Sequence, residues 1–364
     1  MTSLLLPVPL TTNAMNPLSD LAENPFPKPL LIAGPCSAES EEQVLAAARG
    51  VAAAGCAVFR AGLWKPRTHP GGFEGVGEAA LPWLRRAKAE TGLPTATEVA
   101  TGIHVAAALD GGVDFLWIGA RTTANTFAVQ EIADAIAASG RNDVAVLVKN
   151  PVSPDVELWL GALQRLERAG VRRLAAVHRG FPSAGATAYR NEPQWQIPME
   201  LKRRCPTLPV LVDPSHIGGR REAVPTLAQQ AMDMGFDGLM IEVHPAPDQA
   251  LSDAAQQITP AALRTLLTHL TVRVGTGCDH ELAVLRQLID QCDHEVLAAL
   301  ARRMEVVRRI GQLKRESNMA IVQNQRFSQV IASRLEMARE LGLDTQFVND
   351  LMQLIHQEAV AQQL

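Results

Sequence analysis

The chain has 364 residues, which is enough for about two domains of ordinary size. Hydrophobic residues make up 47% of it, which excludes a disordered chain, and a net charge of −4 without a basic run argues against binding to nucleic acid or to a membrane surface. The five cysteines include no CxxC pair, so we expect reduced thiols and a cytoplasmic location rather than a disulfide framework. No apolar stretch reaches the roughly 18 residues that a membrane span needs.

Residues 1–27 are predicted to be a flexible N-terminal arm, because their apolar run lacks the basic residues and the cleavage site of a signal peptide. In residues 28–270, short apolar segments alternate with longer amphipathic ones. The short segments predict eight strands: Leu30–Gly34, Ala57–Gly62, Pro94–Val99, Phe115–Ala120, Ala145–Asn150, Leu174–Gly180, Val210–His216 and Gly238–His244. Several are continuously apolar, as parallel strands buried on both faces are. The pattern predicts an α/β fold, a (β/α)8 TIM barrel, with a doubly wound open sheet as the alternative.

Residues 271–279 contain two glycines and are predicted to be a linker. Residues 280–364 contain no proline and have helical periodicity throughout, which predicts a first helix of about 35 residues, or about 50 Å. Two shorter helices follow at about Gln323–Leu341 and Thr345–Gln363, and Gly342 between them is a predicted C-cap. A domain of this size cannot bury so long an apolar stripe alone. We therefore expect an all-α three-helix domain that forms a homodimer.

Charged and polar residues follow most of the predicted barrel strands, at the end of the barrel where active sites form. This placement around the whole ring favours the barrel over the open sheet. Six of these residues are cations, which indicates a pocket for substrates that carry phosphate and carboxylate groups: Arg60, Lys65, Arg67, Arg121, Lys149 and Arg179. Four others combine a thiol, an imidazole and two carboxylates, which are suitable ligands for a divalent metal: Cys36, His216, Glu242 and Asp253.

Seven segments resemble the type I DAHP synthases, of the shorter β subgroup shared with the KDO 8-phosphate synthases. They are GPCSAES, FRAGLWKPRTHPGGFEG, DFLWIGART, VLVKNP, VHRGF, LVDPSHIGGRRE and GLMIEVHPAPDQALSD, in this order within about residues 30–265. The KPRT run at 65–68 resembles the DAHP enzymes, since the KDO enzymes typically have an Asn-Arg variant there. A KDO 8-phosphate synthase is therefore the less favoured interpretation.

The resemblance implies the condensation of phosphoenolpyruvate with erythrose 4-phosphate, the first step of the shikimate pathway. Phosphoenolpyruvate would bind Arg60, Arg121, Lys149 and Arg179, and erythrose 4-phosphate would bind Lys65, Arg67 and Thr68. Lys65 and Lys149 would also be catalytic. The implied metal ligands are Cys36, His216, Glu242 and Asp253, and the ion (Mn, Fe, Co or Zn) is left open.

The C-terminal segments LRQLIDQCDHEVLAALARRMEVVRRIGQLKRES, QNQRF and MQLIHQEAVAQQ resemble the all-helical chorismate mutases. The resemblance implies the rearrangement of chorismate to prephenate, with Arg303 and Lys314 catalytic. The implied ligand-binding residues are Arg286, Arg303, Lys314, Arg326 and Gln363. Arg286 and Arg303 lie 17 positions apart, which is about 25 Å along one helix, so a shared site would need Arg286 of a partner chain.

Three positions depart from the mutase pattern: Gln323, Phe327 and Ala359 stand where many relatives have Asp, Glu and Ser. Phe327 would remove a hydrogen bond to the substrate hydroxyl. Two interpretations follow. In the first, the protein is a bifunctional enzyme whose synthase is inhibited by chorismate or prephenate. In the alternative, the helical domain is only a regulatory module that binds one of these ligands.

Overall fold

The computed structural model describes residues 29–66, 71–141, 143–182, 188–273, 279–320 and 324–363. The chain divides into two compact units, Met1–Arg273 and Val274–Leu364. The predicted arm 1–27 lies outside the described residues, and so do positions 274–278 of the predicted linker.

Eight parallel strands form a closed barrel in the first unit, in the order of the sequence. They are β1 (Leu30–Gly34), β2 (Val58–Arg60), β3 (Thr95–Val99), β4 (Phe115–Ile118), β5 (Ala145–Lys149), β6 (Arg173–His178), β7 (Val210–Val212) and β8 (Gly238–Glu242). Pairing of β1 with β8, from Leu30 with Gly238 to Gly34 with Glu242, closes the ring. The closed barrel confirms the (β/α)8 prediction and excludes the open sheet.

Among the described residues, ten α-helices follow the strands. They are α1 (Glu41–Ala53), α2 (Leu81–Thr91), α3 (Gly102–Asp110), α4 (Ala120–Thr123), α5 (Thr126–Ser139), α6 (Val156–Arg168), α7 (Gln196–Arg204), α8 (Pro214–Gly218), α9 (Val224–Asp233) and α10 (Pro260–His269). Ser40, Asn125 and Asp155 accept hydrogen bonds from the first turns of α1, α5 and α6, as N-cap residues do. The helices therefore begin at fixed points directly beyond the strand ends.

The barrel strands are buried on both faces. Ile32, Phe115, Trp117 and Met240 belong to the cluster that fills the barrel interior, whereas their neighbours along the strands pack against the helices. Between β1 and β2 the chains approach closely at Gly34, where an added Cβ would lie 2.0 Å from the carbonyl oxygen of Arg60. Glycine at this position therefore lets the loop that carries Cys36 begin directly beside Arg60.

In the described part of the second unit there are three helices, α11 (Asp279–Glu316), α12 (Asn324–Glu340) and α13 (Thr345–Ala361). With 38 residues α11 is slightly longer than predicted. Gly342 follows α12 with a φ of 69°, a left-handed conformation that favours glycine. Leu285, Ile289 and Leu297 on α11 are each more than half exposed. Within the described residues, no helix is both long and apolar enough to cross a bilayer.

Candidate active sites

A cleft of about 580 Å³ opens at the carboxyl ends of the barrel strands. Its lining includes five cationic side chains that lie at or after the ends of four strands: Lys65, Arg121, Lys149, Arg179 and Arg190. Glu98, His216 and Asp253 supply the other ionisable groups. Arg67 and Thr68, which the sequence places in the same site, lie outside the described residues. A cleft with this excess of cations is suited to ligands that carry several negative charges.

Three of the four predicted metal ligands form a tight group. The ligand atoms of Cys36, Glu242 and Asp253 all lie within 4.8 Å of one another. The Cys36 thiol is 3.1 Å from Asp253 Oδ2, and Lys65 Nζ is 2.6 Å from the sulfur. One soft donor and two carboxylates suit a divalent transition metal.

The fourth predicted ligand, His216, borders this group without entering it. Its Nε2 lies 3.8 Å from Glu242 Oε1, while Nδ1 lies 2.7 Å from Asp213 Oδ2. Lys149 Nζ contacts the same Asp213 oxygen at 2.9 Å. Burial lowers the pKa of His216, although Asp213 opposes this. The neutral ring with Nδ1 held by Asp213 leaves Nε2 facing Glu242, as a metal ligand requires.

Cys36, Glu242 and Asp253 are called the donor group below. The charges around this group influence the ionisation of its members. Burial and the charge of Glu242 raise the pKa of the Cys36 thiol above its usual range, and Lys65 acts in the opposite direction. Although burial opposes the ionisation of Asp253, the positive charges of Lys65 and Arg190 hold the pKa of this carboxyl well below its usual range. The carboxylate is therefore charged at neutral pH, whereas the thiol needs a further positive charge to ionise.

Arg60 lies beneath the cleft and is buried. Its guanidinium is 3.2 Å from Glu242 Oε1 and 4.5 Å from the centre of the Trp117 ring. The Nε and Nη1 atoms have no hydrogen-bond partner among the described residues. Such atoms are costly to bury unpaired, so they indicate a ligand that approaches from the cleft.

Arg179 is fixed in the cleft by two asparagines. Its backbone N–H donates to Asn150 Oδ1 at 2.7 Å, and its guanidinium donates to Asn191 Oδ1 at 2.9 Å. Burial, reinforced by the positive charges of Arg190 and Arg121, lowers the pKa of Arg179 to about 10. The positive charge is therefore held in place at a position where an anion would stabilise it.

Several residues of this site are not among those predicted from the sequence. Arg190 lines the cleft and pairs with Asp253 at 3.0 Å, across 63 positions of the sequence. Glu98 lines it too, and Gly119 leaves it room, since an added Cβ there would lie 2.2 Å from Glu98 Oε1. Asp253 itself has a φ of 48°, a left-handed conformation that aspartate tolerates better than most residues.

In the helical unit, the structure describes the side chains of four of the five predicted ligand-binding residues. Arg286, Arg303 and Lys314 all lie on α11, and Arg286 is exposed while the other two are half-buried. The Nη1 atom of Arg303 is buried without a hydrogen-bond partner among the described residues, and burial and the charge of Arg334 lower the pKa of this arginine. Arg326 lies on α12, and its side chain is outside the described part. Arg303 therefore has the features of an anion-binding residue.

Gln363 reaches the same helix from the end of the chain. It is buried, and its Oε1 has no hydrogen-bond partner among the described residues. Arg315 donates to its carbonyl oxygen, and Gly311 leaves room for it, because an added Cβ would lie 3.0 Å from the Gln363 Cα. Among the departures from the mutase pattern, Ala359 is buried, Gln323 lies outside the described residues, and the Phe327 side chain is not described.

Two family profiles match this chain, and together they cover nearly all of it. The profile of the DAHP synthetase I family matches residues 26–274, and that of chorismate mutase type II matches residues 285–364.

Individual relatives match the barrel. The phospho-2-dehydro-3-deoxyheptonate aldolase of Thermotoga maritima is 33% identical over 228 residues, which cover 63% of this chain and 64% of that protein. The chain thus spans slightly less than two thirds of this relative. The 2-dehydro-3-deoxyphosphooctonate aldolase of a Synechococcus strain is 32% identical, over 66% of this chain and 86% of that one. The crystal structure of the T. maritima DAHP synthase matches with a TM-score of 0.59 and 32% identity, over 65% of this chain and 67% of that one.

Proposed function

The chain belongs to the DAHP synthetase I family and carries a type II chorismate mutase domain, and from this we propose that it is a bifunctional enzyme. The barrel would condense phosphoenolpyruvate with erythrose 4-phosphate, and the helical unit would convert chorismate to prephenate. The observation that carries the first proposal is that Arg121, Lys149 and Arg179 line one cleft with Asp253, a member of the group of Cys36, Glu242 and Asp253. We assign the barrel to the β subgroup on its motifs.

The charges of the cleft support a division between the two substrates. Arg121, Lys149 and Arg179 would hold phosphoenolpyruvate, with the unpaired buried atoms of Arg60 turned toward its carboxylate. Lys65, which contacts Cys36 and Asp253, would hold the aldehyde end of erythrose 4-phosphate, and Arg67 and Thr68 would hold its phosphate. Clamping both substrates replaces a bimolecular encounter with a reaction between fixed groups.

In the reaction, the methylene carbon of phosphoenolpyruvate forms a bond to the aldehyde carbon, and the aldehyde oxygen takes up a proton. Water adds to the adjacent enol carbon, whose bond to the phosphate oxygen then breaks and releases inorganic phosphate. Lys65 would stabilise the developing charge on the aldehyde oxygen. Lys149, held by Asp213, would stabilise the carboxylate of phosphoenolpyruvate.

We propose that Cys36, His216, Glu242 and Asp253 hold a divalent metal ion. The donor set, the neutral His216 and the grouping of three ligand atoms within 4.8 Å support this. A bound ion would supply Lewis-acid polarisation of the aldehyde. Removal of the ion with a chelator should abolish condensation and spare the mutase, and restored activity on adding Mn, Fe, Co or Zn would identify the metal.

The length of the aldose phosphate tests the synthase assignment. A seven-carbon product requires a four-carbon aldehyde, whereas the eight-carbon product in the name of the Synechococcus relative requires five carbons. We expect a preference for erythrose 4-phosphate, because KPRT resembles the DAHP enzymes. Arg67→Ala should raise its KM about tenfold or more and change that of phosphoenolpyruvate much less, since one charge-assisted contact is worth about 1.5–3 kcal/mol. A preference for the five-carbon substrate would refute the assignment.

For the helical unit, Arg303, Lys314, Arg326 and Gln363 would hold the carboxylates and ether oxygen of chorismate, together with Arg286 of a second chain. The exposed apolar face of α11, with Leu285, Ile289 and Leu297, supports a homodimer. Fixed cations and donors suffice for this pericyclic reaction, which needs no acid, base or cofactor. The four described cysteines that are free suit the reducing cytoplasm, the location we propose.

We further propose that chorismate or prephenate bound to the helical unit inhibits the synthase. The second candidate function, a helical unit that only binds these ligands, is favoured by Phe327 alone. Conversion of chorismate to prephenate by the purified protein decides between the two. Absence of turnover, with retained binding of prephenate, would establish the regulatory module.

A further inference from the structure

Gln256 is not part of the cleft lining, and it contacts both Glu242 of the donor group and Arg190 of the lining. It is completely buried and ends a short 3-10 helix, Ala254–Gln256, that follows Asp253. Its amide nitrogen donates to Glu242 Oε2 at 2.7 Å, and its amide oxygen accepts from Arg190 Nη1 at 2.5 Å. A flipped amide would place its oxygen against the carboxylate and its NH₂ against the guanidinium, so the two charges fix its orientation.

Arg190 extends this network to the second carboxylate. The same Nη1 atom donates to Asp253 Oδ1 at 3.0 Å, while Oδ2 faces the Cys36 thiol at 3.1 Å. Glu242 is divided in the same way, with Oε2 on Gln256 and Oε1 on Arg60 and His216. Each carboxylate thus has one oxygen tied back and one directed toward the donor group.

The backbone around Arg190 fixes the position from which its side chain reaches Gln256 and Asp253. The Arg190 N–H donates to the Ile217 carbonyl at 3.0 Å, and an added Cβ at Gly219 would lie 2.3 Å from the Arg190 Cβ. Glycine at 219 therefore lets the segment after β6 lie against the loop after β7. The guanidinium then reaches the loop after β8, so residues from three loops are fixed relative to one another.

We infer that Gln256 and Arg190 are positioning residues that present Glu242 and Asp253 to the metal through one oxygen each. The inference rests on the proposed metal site and deepens it. Without the hydrogen bonds from Gln256 and Arg190, the Glu242 and Asp253 carboxylates would be oriented less firmly beside the Cys36 thiol. Side chains that ligate metals depend on hydrogen bonds to outer groups for their direction. Gln256 should therefore determine the affinity and geometry of metal binding without touching substrate.

The test compares full-length Gln256→Leu and Gln256→Glu with Gln230→Leu, a matched substitution on α9 away from the cleft lining. Gln256→Leu removes both hydrogen bonds, whereas Gln256→Glu keeps the acceptor for Arg190 and replaces the donor to Glu242 with a negative charge. Co²⁺ affinity is measured by competition with a chelator, and the visible and near-ultraviolet absorption of bound Co²⁺ reports its ligand geometry and its bond to thiolate.

We expect both Gln256 variants to bind Co²⁺ about 10–100-fold more weakly, the usual loss for an outer partner of a metal ligand, with an altered absorption spectrum. The KM for phosphoenolpyruvate at saturating metal should stay within about threefold of the parent, as should every property of Gln230→Leu. Gln256→Glu conserves size and polarity, so it remains informative if Gln256→Leu does not fold.

Cys36→Ser separates the two ways in which these ideas can fail. If Cys36→Ser retains parental affinity and the thiolate absorption of Co²⁺, the proposed metal site is wrong. If Cys36→Ser loses them while Gln256→Glu binds Co²⁺ with the affinity and spectrum of the parent, the metal site stands and the positioning role of Gln256 is overturned.

Discussion

The ammonium nitrogen of Lys65 lies 2.6 Å from the thiol sulfur of Cys36. The same nitrogen is 3.7 Å from Asp253 Oδ2, so it faces two members of the donor group at once. A cation at this position interacts with the groups that would also attract a divalent metal. Lys65 and the metal therefore compete for the same negative charges, and repel one another when both are present.

Lys65→Met should bind divalent metal more tightly than the parent, although it loses condensation activity. Removal of a like charge at this distance should strengthen metal binding at least about tenfold. Tenfold corresponds to about 1.4 kcal/mol, which is less than the roughly 4 kcal/mol of repulsion between two like charges about 4 Å apart near a protein surface. Chelator competition with Co²⁺ or Mn²⁺ measures this. Equal or weaker binding by the variant would mean that Lys65 does not compete with the metal.

A separate prediction concerns the cations proposed to bind phosphoenolpyruvate, which are Arg121, Lys149 and Arg179. Arg179→Gln should raise the KM for phosphoenolpyruvate about 10–100-fold, because one charge-assisted hydrogen bond is worth about 1.5–3 kcal/mol. Arg173→Gln is the matched control, since Arg173 begins the strand that His178 ends. Steady-state kinetics at saturating erythrose 4-phosphate measure both. Equal changes in the two variants would contradict the role of Arg179.

Features that depend on a local pattern of residues could be predicted from the sequence, whereas contacts between residues far apart in the sequence could not. The barrel and the ring of polar residues were predictable, because several strands are continuous apolar runs and charged residues lie at or shortly after most strand ends. The predicted strands were longer than β2 and β7, because residues 61–62 after β2 form a buried loop and residues 214–216 after β7 belong to α8. Arg190 and Gln256 were not predictable, because their partners lie 63 and 14 positions away and no pattern marks such a contact.

A buried histidine outside the cleft predicts a specific loss of stability in acid. His178 ends β6 on the outer side of the barrel, within 6.5 Å of the ring centres of Trp159, Phe181 and Trp195. Burial lowers its pKa to about 3. Below pH 6.5 the unfolded chain takes up a proton that the folded chain refuses, so the free energy of unfolding falls by about 1.4 kcal/mol per pH unit.

Between pH 6.5 and 5 the free energy of unfolding should fall by about 2 kcal/mol because of His178, and the His178→Phe variant should not show this fall. Urea unfolding followed by tryptophan fluorescence measures the difference, because all five tryptophans lie in the barrel unit. Ring-for-ring replacement preserves the aromatic packing, and the parent at pH 7.5 serves as the reference. The same acid sensitivity in parent and variant would show that His178 is not the group responsible.

The proposed mutase site predicts complementation between inactive chains. Lys314→Ala should lower mutase turnover about 10²–10³-fold, the usual effect of losing one donor to the transition state, while Arg309→Ala on the exposed side of α11 should not. Arg286→Ala should also be inactive if each site takes Arg286 from the partner chain. An equal mixture of the two inactive variants should regain about a quarter of parental activity, because half of the dimers are mixed and each has one intact site. No recovery after exchange of subunits would contradict the shared site.

The proposed inhibition of the synthase by a ligand of the helical unit predicts a reciprocal effect. If prephenate weakens the binding of phosphoenolpyruvate, phosphoenolpyruvate must weaken the binding of prephenate by the same factor, typically about 5–150-fold.

Two variants locate the sensor. A chain that ends at Arg273, where the first compact unit ends, should bind phosphoenolpyruvate normally and ignore prephenate. Full-length Arg303→Ala, which keeps every helix, should do the same because the anion-binding guanidinium is gone. Calorimetric titration of each ligand with and without the other measures the coupling. Continued inhibition of the truncated barrel would place the inhibitor in the synthase cleft, and indifference of the full-length enzyme to both chorismate and prephenate would remove the case for feedback.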